Sequence, residues 1–319
     1  MAKVRKAVIT AAGRGTRMFP ASQTVQKELF PLVDTDGYAK PTLQIIAEEA
    51  LASGVEEICI VANESNVEAL KRHFRGLSET QKQGAFAGKE WALALADTLA
   101  DLARRTTFVV QATQEGFGHA VFQARAWAGD EPFALLLGDH VYLTHHPLRC
   151  TRQVMDAFER HECAVSSVAR MPENVLFRYG TVGGTLLPGT VPPVYEIKAM
   201  TEKPTVEFAR EHLQTPGLPA HEYLCFFGIH VFPPSIFGYL KHLIDNDLRE
   251  KGEFQLTSAQ ELLFQNERYL ASEVQGTRCD MGVPEGLVET QIALALHSPF
   301  REAATSLFHM LGSQQQSHQ

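Results

Sequence analysis

The chain has 319 residues, 45% hydrophobic and 21% charged, with 29 basic against 37 acidic side chains and a formal net charge of −8. This excludes a disordered chain, a collagen-like fibre and a miniature disulfide scaffold, and the length suits one large α/β domain or about two smaller ones. An acidic chain without a basic tract argues against nucleic acid as a partner, and apolar runs of about ten residues fall short of the ~20 a membrane helix needs.

Residues 6–11 (KAVITA) read as a strand entering a glycine-rich loop. Residues 42–53 read as a helix stopped by Gly54, and 57–62 as the next strand. Apolar spacing predicts helices over 66–74 and 90–102, a strand over 107–111, a helix over 119–127 and a strand over 133–137 (FALLL). Unbroken β-branched or leucine runs separated by helices indicate a parallel sheet covered on both faces, and such sheets bind ligands at the carboxyl ends of their strands. The second half is less regular. It offers strands at 164–169, 195–200 and 224–232, a Gly- and Pro-rich region at 180–193, an extended stretch at 273–277 and helices at 206–212, 257–265 and 284–296. The tail GSQQQSHQ from Gly312 is polar and expected to fray. No repeat and no clear linker stand out, so the expectation is a single domain over 1–311, with parts at about 1–150 and 151–300 and a polar tail at 312–319. Cys59, Cys150, Cys163, Cys225 and Cys279 form no CxxC pair, which reads as reduced thiols. The first residues hold no signal-length apolar core before Gly13, so the expected compartment is the cytoplasm.

The segment Ala11-Ala12-Gly13-Arg14-Gly15-Thr16-Arg17 follows the first strand directly. Two glycines one residue apart let backbone approach a ligand, and successive amides make an anion nest. Arg14 and Arg17 add forks suited to phosphate oxygens, although a plain turn with surface arginines reads equally from these residues. No Gly-Lys-Ser/Thr follows, and Met18 stands where a dinucleotide fingerprint needs its third glycine. Lys27 lies ten residues beyond Arg17 and either reaches the same phosphate or stays solvated. Asp139, in Gly138-Asp139-His140, follows a buried strand, where it either holds Mg²⁺ or caps the next segment. Asp280, in Cys279-Asp280-Met281-Gly282, is either a cap or a second carboxylate ligand. Glu202-Lys203-Pro204 leaves a strand, and His119 starts a helix after two glycines, where a structural role is the default. No Ser-His-Asp, HExxH or GxSxG arrangement supports a hydrolase.

Together, KAVITAAGRGTRMFPAS, QKELFPLVD, GFGHAV, LLLGDH, RYGTV, TEKP, GEFQLT and CDMG resemble, in order, the landmarks of the sugar nucleotidyltransferases. GFGHAV and GEFQLT beside KELFPLVD point to the uridylyltransferase branch, the UTP–glucose-1-phosphate uridylyltransferases. The resemblance implies a Rossmann-like α/β fold with a mixed, mostly parallel sheet flanked by helices. It implies transfer of a uridylyl group from UTP to glucose 1-phosphate with Mg²⁺, and a homo-oligomer, dimer or tetramer. By position, it implies that Ala11, Ala12, Gly13 and Gly15 line the nucleotide and that Arg17 and Lys27 bind the triphosphate. Gln111 and Gly116 would read the uracil edge, and Asp139 and Asp280 would hold the metal. Gly180, Glu202 and Lys203 would form the sugar-phosphate site, with Arg17, Lys27, Asp139 and Lys203 the catalytic set. Departures are His140 in place of a second aspartate, an insertion of about five residues over 34–41, and Glu115 where an apolar residue is usual near the base. Another nucleotide or hexose phosphate, and a non-catalytic nucleotide-sugar sensor, are the alternative readings. A Rossmann dehydrogenase is disfavoured by Met18.

Overall fold

The structure is a computed structural model that describes residues 3–316, with side chains through 311. Its strands are β1 (Lys6–Ala11), β2 (Pro31–Val33), β3 (Ala39–Pro41), β4 (Glu57–Asn63), β5 (Thr106–Gln111), β6 (Phe133–Leu137) and β7 (His140–Leu143). They continue as β8 (Ala164–Pro172), β9 (Gly180–Leu186), β10 (Val194–Glu202), β11 (Glu222–Phe232), β12 (Tyr269–Glu273) and β13 (Thr277–Asp280). One nine-stranded sheet runs through both halves in the order β5-β4-β1-β6-β11-β8-β12-β10-β9.

Alternation along the strands sets the layers. Ala7, Ile9, Ile58, Ile60, Ala134 and Leu136 feed one apolar cluster. Their neighbours Val8, Cys59, Val61, Phe133 and Leu135 feed another. Successive side chains of a strand point to opposite faces, so strands apolar at every position must be covered on both. Burial of each such side chain contributes about 1.5–3 kcal/mol, which fixes β1, β4 and β6 at the centre.

The mixed α/β class holds, but the emphasis on parallel pairing needs correction. β5, β4, β1 and β6 pair parallel, as does β12 with β8. β6–β11, β11–β8, β10–β12, β10–β9 and β11–β9 are antiparallel. The Gly/Pro-rich region also contains β9, which pairs with β10 and, at Thr181 and Val182, with β11; its glycines hide a strand signal. The helix expected over 119–127 runs Phe117–Gln123 and resumes as Arg125–Ala128. Helices Cys150–His161 and Ile236–Asp245 had no counterpart in the sequence reading. The backbone is helical over Arg301–Gln316; residues 317–319 of the expected frayed tail, and the side chains from 312 on, lie outside the described residues. Among the described residues no helix is long and apolar enough to cross a membrane.

Two small sheets position the chemistry. β13 pairs antiparallel with β7 and sets Asp280 opposite His140. β2 and β3 form a hairpin whose loop contains the insertion. Lys40 closes that loop, with its ammonium 2.8 Å from Asp34, 2.6 Å from Asp36 and 2.7 Å from Glu48.

Candidate active site

A cleft of about 750 Å³ opens at the carboxyl ends of β1, β5 and β6. Its walls include Ala12, Gly13, Arg14, Arg17, Lys27 and Asp139. β6 delivers Asp139 because residue 138 is glycine: a side-chain carbon there would lie 2.5 Å from the Thr10 carbonyl oxygen. The glycine loop is tied down on its outer side. The Gln26 amide donates to the Gly13 carbonyl (2.7 Å), Gln114 to that of Ala12 (2.6 Å) and Asn66 to that of Ala11 (2.7 Å). Gly15 takes the left-handed conformation, φ 64°, that starts the turn Thr16–Met18. Ala11 and Gly15 are absent from the cleft lining: Ala11 is buried in the core and Gly15 shapes the loop.

At the cleft floor the Lys27 ammonium donates to Asp139 Oδ2 at 2.5 Å. Burial opposes the lysine's charge, but Asp139 and Glu28 hold its pKa above the ordinary value. Burial likewise opposes charge on Asp139, and Lys27 and then His140 pull its carboxyl below the usual range. Asp280 accepts the Gly282 N–H at 2.9 Å. Burial would raise its carboxyl; the hydrogen bond and charge of His140, then Gly282 and Arg278, lower it. His140 Nε2 lies 3.7 Å from Asp280 and 4.0 Å from Asp139. One ligand atom from each of Asp139, His140 and Asp280 falls within 4.8 Å of the others. A carbon built on Gly282 would lie 2.5 Å from Asp139 Oδ2 and 3.1 Å from both Arg17 Nη2 and Asp280 Oδ1. Arginine and both aspartates therefore converge on one glycine.

The Gln111 end of the cleft is built from two distant segments. Gly116 has φ 113° and any Cβ there would strike the Phe254 carbonyl at 2.7 Å. Gly118 N–H donates to that carbonyl (2.8 Å) and Phe254 N–H to the Glu115 carbonyl (2.8 Å), so GEFQLT clamps GFGHAV. Gln111 is buried and its amide nitrogen lies 3.2 Å from the Gly116 carbonyl oxygen.

Gly180, Glu202 and Lys203 also come together, but outside that cleft's lining. Gly180 pairs with Glu202 across β9 and β10. A side chain at 180 would press on the Phe226 ring (2.7 Å) and Glu202 Oε2 (2.9 Å). Lys203 holds φ 49°, a conformation costly for a side chain with a Cβ, and its ammonium stands 3.6 Å from Glu202 while half exposed. Thr257 donates to Glu202 at 3.2 Å, which joins this end to the clamp.

The sequence profile of the Nucleotidyl transferase family matches residues 6–295. The chain belongs to that family. It is similar to the UTP–glucose-1-phosphate uridylyltransferase of Bacillus subtilis (strain 168), 36% identical over 299 residues, 93% of this chain and 92% of the relative. The enzyme of that name from Streptococcus pneumoniae serotype 4 is 35% identical over 301 residues, 93% of this chain and 92% of its own length. Among solved structures, a UDP-glucose pyrophosphorylase complexed with UDP-glucose aligns with TM-score 0.70 and 27% identity, over 97% of this chain and 100% of that one. A UDP-glucose pyrophosphorylase from Acinetobacter baumanii aligns with TM-score 0.81 and 25% identity, over 98% and 100%.

This nucleotidyl transferase also carries site residues that the sequence reading passed over. Glu28 is buried beside Lys27, and burial raises its carboxyl to about 7. In the string KELFPLVD it looks like an ordinary surface charge; only tertiary packing, with Gly138 close beside it, removes it from water. Arg278 reaches back from β13 to the Phe226 carbonyl (3.1 Å) and lies 4.4 Å from the centre of the Tyr179 ring. Gln114 lines the cleft and holds Arg14 Nε at 2.9 Å. A larger cavity, about 840 Å³, lies beyond β7 among Asp34, Arg149 and Arg301 and shares none of these groups.

Proposed function

We propose that this nucleotidyl transferase moves a uridylyl group from UTP to glucose 1-phosphate, giving UDP-glucose and pyrophosphate. The observation that carries the reading is the convergence of Arg17, Lys27, Asp139 and Asp280 at the floor of a glycine-walled cleft. Two polyanions must meet there, and like charges repel. The chain answers with cations at the phosphate end and a second cation, Lys203, at the edge formed by β9 and β10.

In this reading Ala12 and Gly13 present backbone to the nucleotide, and Gln111 and Gly116 read its base. Arg17 and Lys27 bind the triphosphate. Glu202 accepts hydrogen bonds from sugar hydroxyls, Lys203 binds the sugar phosphate, and Gly180 leaves room for it. The N-terminal part thus supplies most of the nucleotide site, GEFQLT and Asp280 join it from the C-terminal part, and the rest of the C-terminal part serves the sugar. A phosphate oxygen of the acceptor attacks the α-phosphorus in line and pyrophosphate leaves. The acceptor phosphate is ionised at neutral pH, so no general base is required, and catalysis rests on positioning and charge stabilisation. The donor set of Asp139 and Asp280 fits Mg²⁺, a hard cation that takes one or two carboxylates and leaves its other positions to water and phosphate. When bound, Mg²⁺ supplies neutralisation of phosphate charge.

Free cysteines support a reducing, cytoplasmic setting. Half-exposed Leu307 and Phe308 on the last helix support self-association. The deciding experiment measures pyrophosphate release over a panel of nucleoside triphosphates and sugar 1-phosphates, with and without Mg²⁺. UTP with glucose 1-phosphate and Mg²⁺ should give the highest turnover. A different preferred pair replaces the substrate assignment, and binding of UDP-glucose without any pyrophosphate formation replaces the enzyme by a sensor.

A further inference from the structure

We infer that Arg249, Glu115 and His119 form a positioning chain that fixes the amide of Gln111 and so selects uracil over cytosine. This rests on the reading of Gln111 as the residue that faces the base.

The argument begins with proton counting. Gln111 Nε2 lies 3.2 Å from the Gly116 carbonyl oxygen and 3.0 Å from His119 Nδ1. A carbonyl oxygen only accepts, so the NH₂ end of Gln111 faces Gly116. His119 Nδ1, beside that same NH₂, must then be the bare nitrogen of a neutral ring, and Nε2 carries the proton. On the other side of the ring, Gln123 Nε2 is drawn 2.9 Å from His119 Nε2 and 3.4 Å from the His119 carbonyl oxygen. The two glutamines make opposing demands, because a neutral imidazole cannot accept at both nitrogens. The ends of an amide are interchangeable in shape, so one of them must be reversed.

Glu115 decides which. Its Oε2 lies 3.6 Å from His119 Nε2, and a carboxylate there favours a proton on that nitrogen. Glu115 is itself held: Arg249 Nη2 donates to its Oε1 at 2.8 Å, and the Arg249 guanidinium lies 4.0 Å from the centre of the Phe254 ring. The Phe254 backbone closes the same loop through Glu115 and Gly118. Gln123 is therefore the amide that turns its oxygen to the ring, giving up the longer 3.4 Å contact with the His119 carbonyl, and Gln111 keeps its NH₂ toward His119 and its shorter 3.2 Å contact with Gly116. Gln111 lines the cleft, and with its NH₂ engaged by Gly116 and His119 the end left for a base is its carbonyl oxygen. An oxygen there accepts from uracil N3–H and repels the N3 lone pair of cytosine. Glu115, the acidic residue where an apolar one is usual, thereby acquires a purpose.

The test compares kcat/KM for UTP and CTP, with glucose 1-phosphate as acceptor, in wild type, His119→Leu, His119→Asn and Glu115→Leu. His119→Leu should lower the UTP/CTP ratio by about tenfold or more, through the nucleotide KM, with the glucose 1-phosphate KM unchanged. His119→Asn puts an amide oxygen near the Nδ1 position and should restore most of the ratio. Glu115→Leu should lower it by a smaller factor. Parallel losses for UTP and CTP in His119→Leu overturn the inference and leave His119 a packing residue. If that variant does not fold, an unchanged ratio in Glu115→Leu overturns it instead. A readout free of turnover is the ¹⁵N spectrum of the histidine-labelled wild-type protein, with His119 assigned by its loss in His119→Asn. A bare Nδ1 and protonated Nε2 are expected; the opposite tautomer overturns the inference. A wild-type enzyme indifferent between UTP and CTP, with the expected tautomer present, points instead to failure of the uridylyl reading itself.

Discussion

The two ends of the site are built differently. The end proposed for the nucleotide rests on parallel strands, and the charges at its floor are withdrawn from water: Asp139 is buried in contact with Lys27 and Glu28 is buried beside them, while Arg14 and Arg17 stay exposed. The end proposed for the sugar phosphate rests on antiparallel strands, and Lys203 there is half exposed and spaced 3.6 Å from Glu202. Burial makes each charge on that floor costly to leave unpaired, so those groups are held in place before substrate arrives. At the second end solvent screens the pair, and the residue is held by its backbone conformation, φ 49°, instead. The difference teaches that one half is preorganised and the other is completed by its ligand.

That contrast can be broken most sharply at Asp139. Asp139→Asn should cost about 10³-fold in kcat while the circular dichroism spectrum stays near wild type, because it removes a charge without a change of shape; the melting temperature should fall, because Lys27 loses its buried partner. Normal Mg²⁺-dependent turnover in this variant would take Asp139 out of the metal site. Lys203→Ala should raise the KM for glucose 1-phosphate by about 10–100-fold and leave that for UTP almost unchanged. Equal losses for both substrates would erase the division between the two ends. Gly282→Ala comes next: its methyl group intrudes among Asp139, Arg17 and Asp280, so kcat should fall by about tenfold with the nucleotide KM rising too. Steady-state kinetics with full activity in this variant would show the convergence at Gly282 to be loose.

The smallest effect tests burial itself. The Glu28 carboxyl is raised to about 7 in the folded chain, against an ordinary 4.5. Between those values the folded state binds the proton and the unfolded state has released it, so stability falls as pH rises through that window and stays lower above it. Glu28→Gln removes the group that ionises. Its melting temperature should match wild type near pH 4 and exceed it by a few degrees near pH 8. Curves that stay parallel across that range would place Glu28 in a wetter environment than its burial implies.

Much of the nucleotide end was legible because it is local. A strand, two glycines and an arginine in succession state their turn geometry, and FALLL followed by Gly-Asp states where a strand stops. The sugar end was legible only in part. Glu202 and Lys203 were named as candidates, but β9 was hidden among glycines, and the antiparallel order from β11 to β9 leaves no local mark. Glu28 was passed over and Glu115 was noted only as a departure, since their neighbours Gly138 and Arg249 lie far along the chain.

By itself, the amino-acid sequence determined the layered α/β class, the strands of the nucleotide half, the glycine loop and the residue types of the site. Periodicity and turn chemistry act over a few residues, so they can be read without a partner. Tertiary structure alone decided that Asp280 faces His140 across β7 and β13, that Glu28 lies out of water, and which carboxylate stands beside His119. Those features depend on pairing between remote segments and on the removal of solvent, and neither quantity exists until the chain has closed on itself.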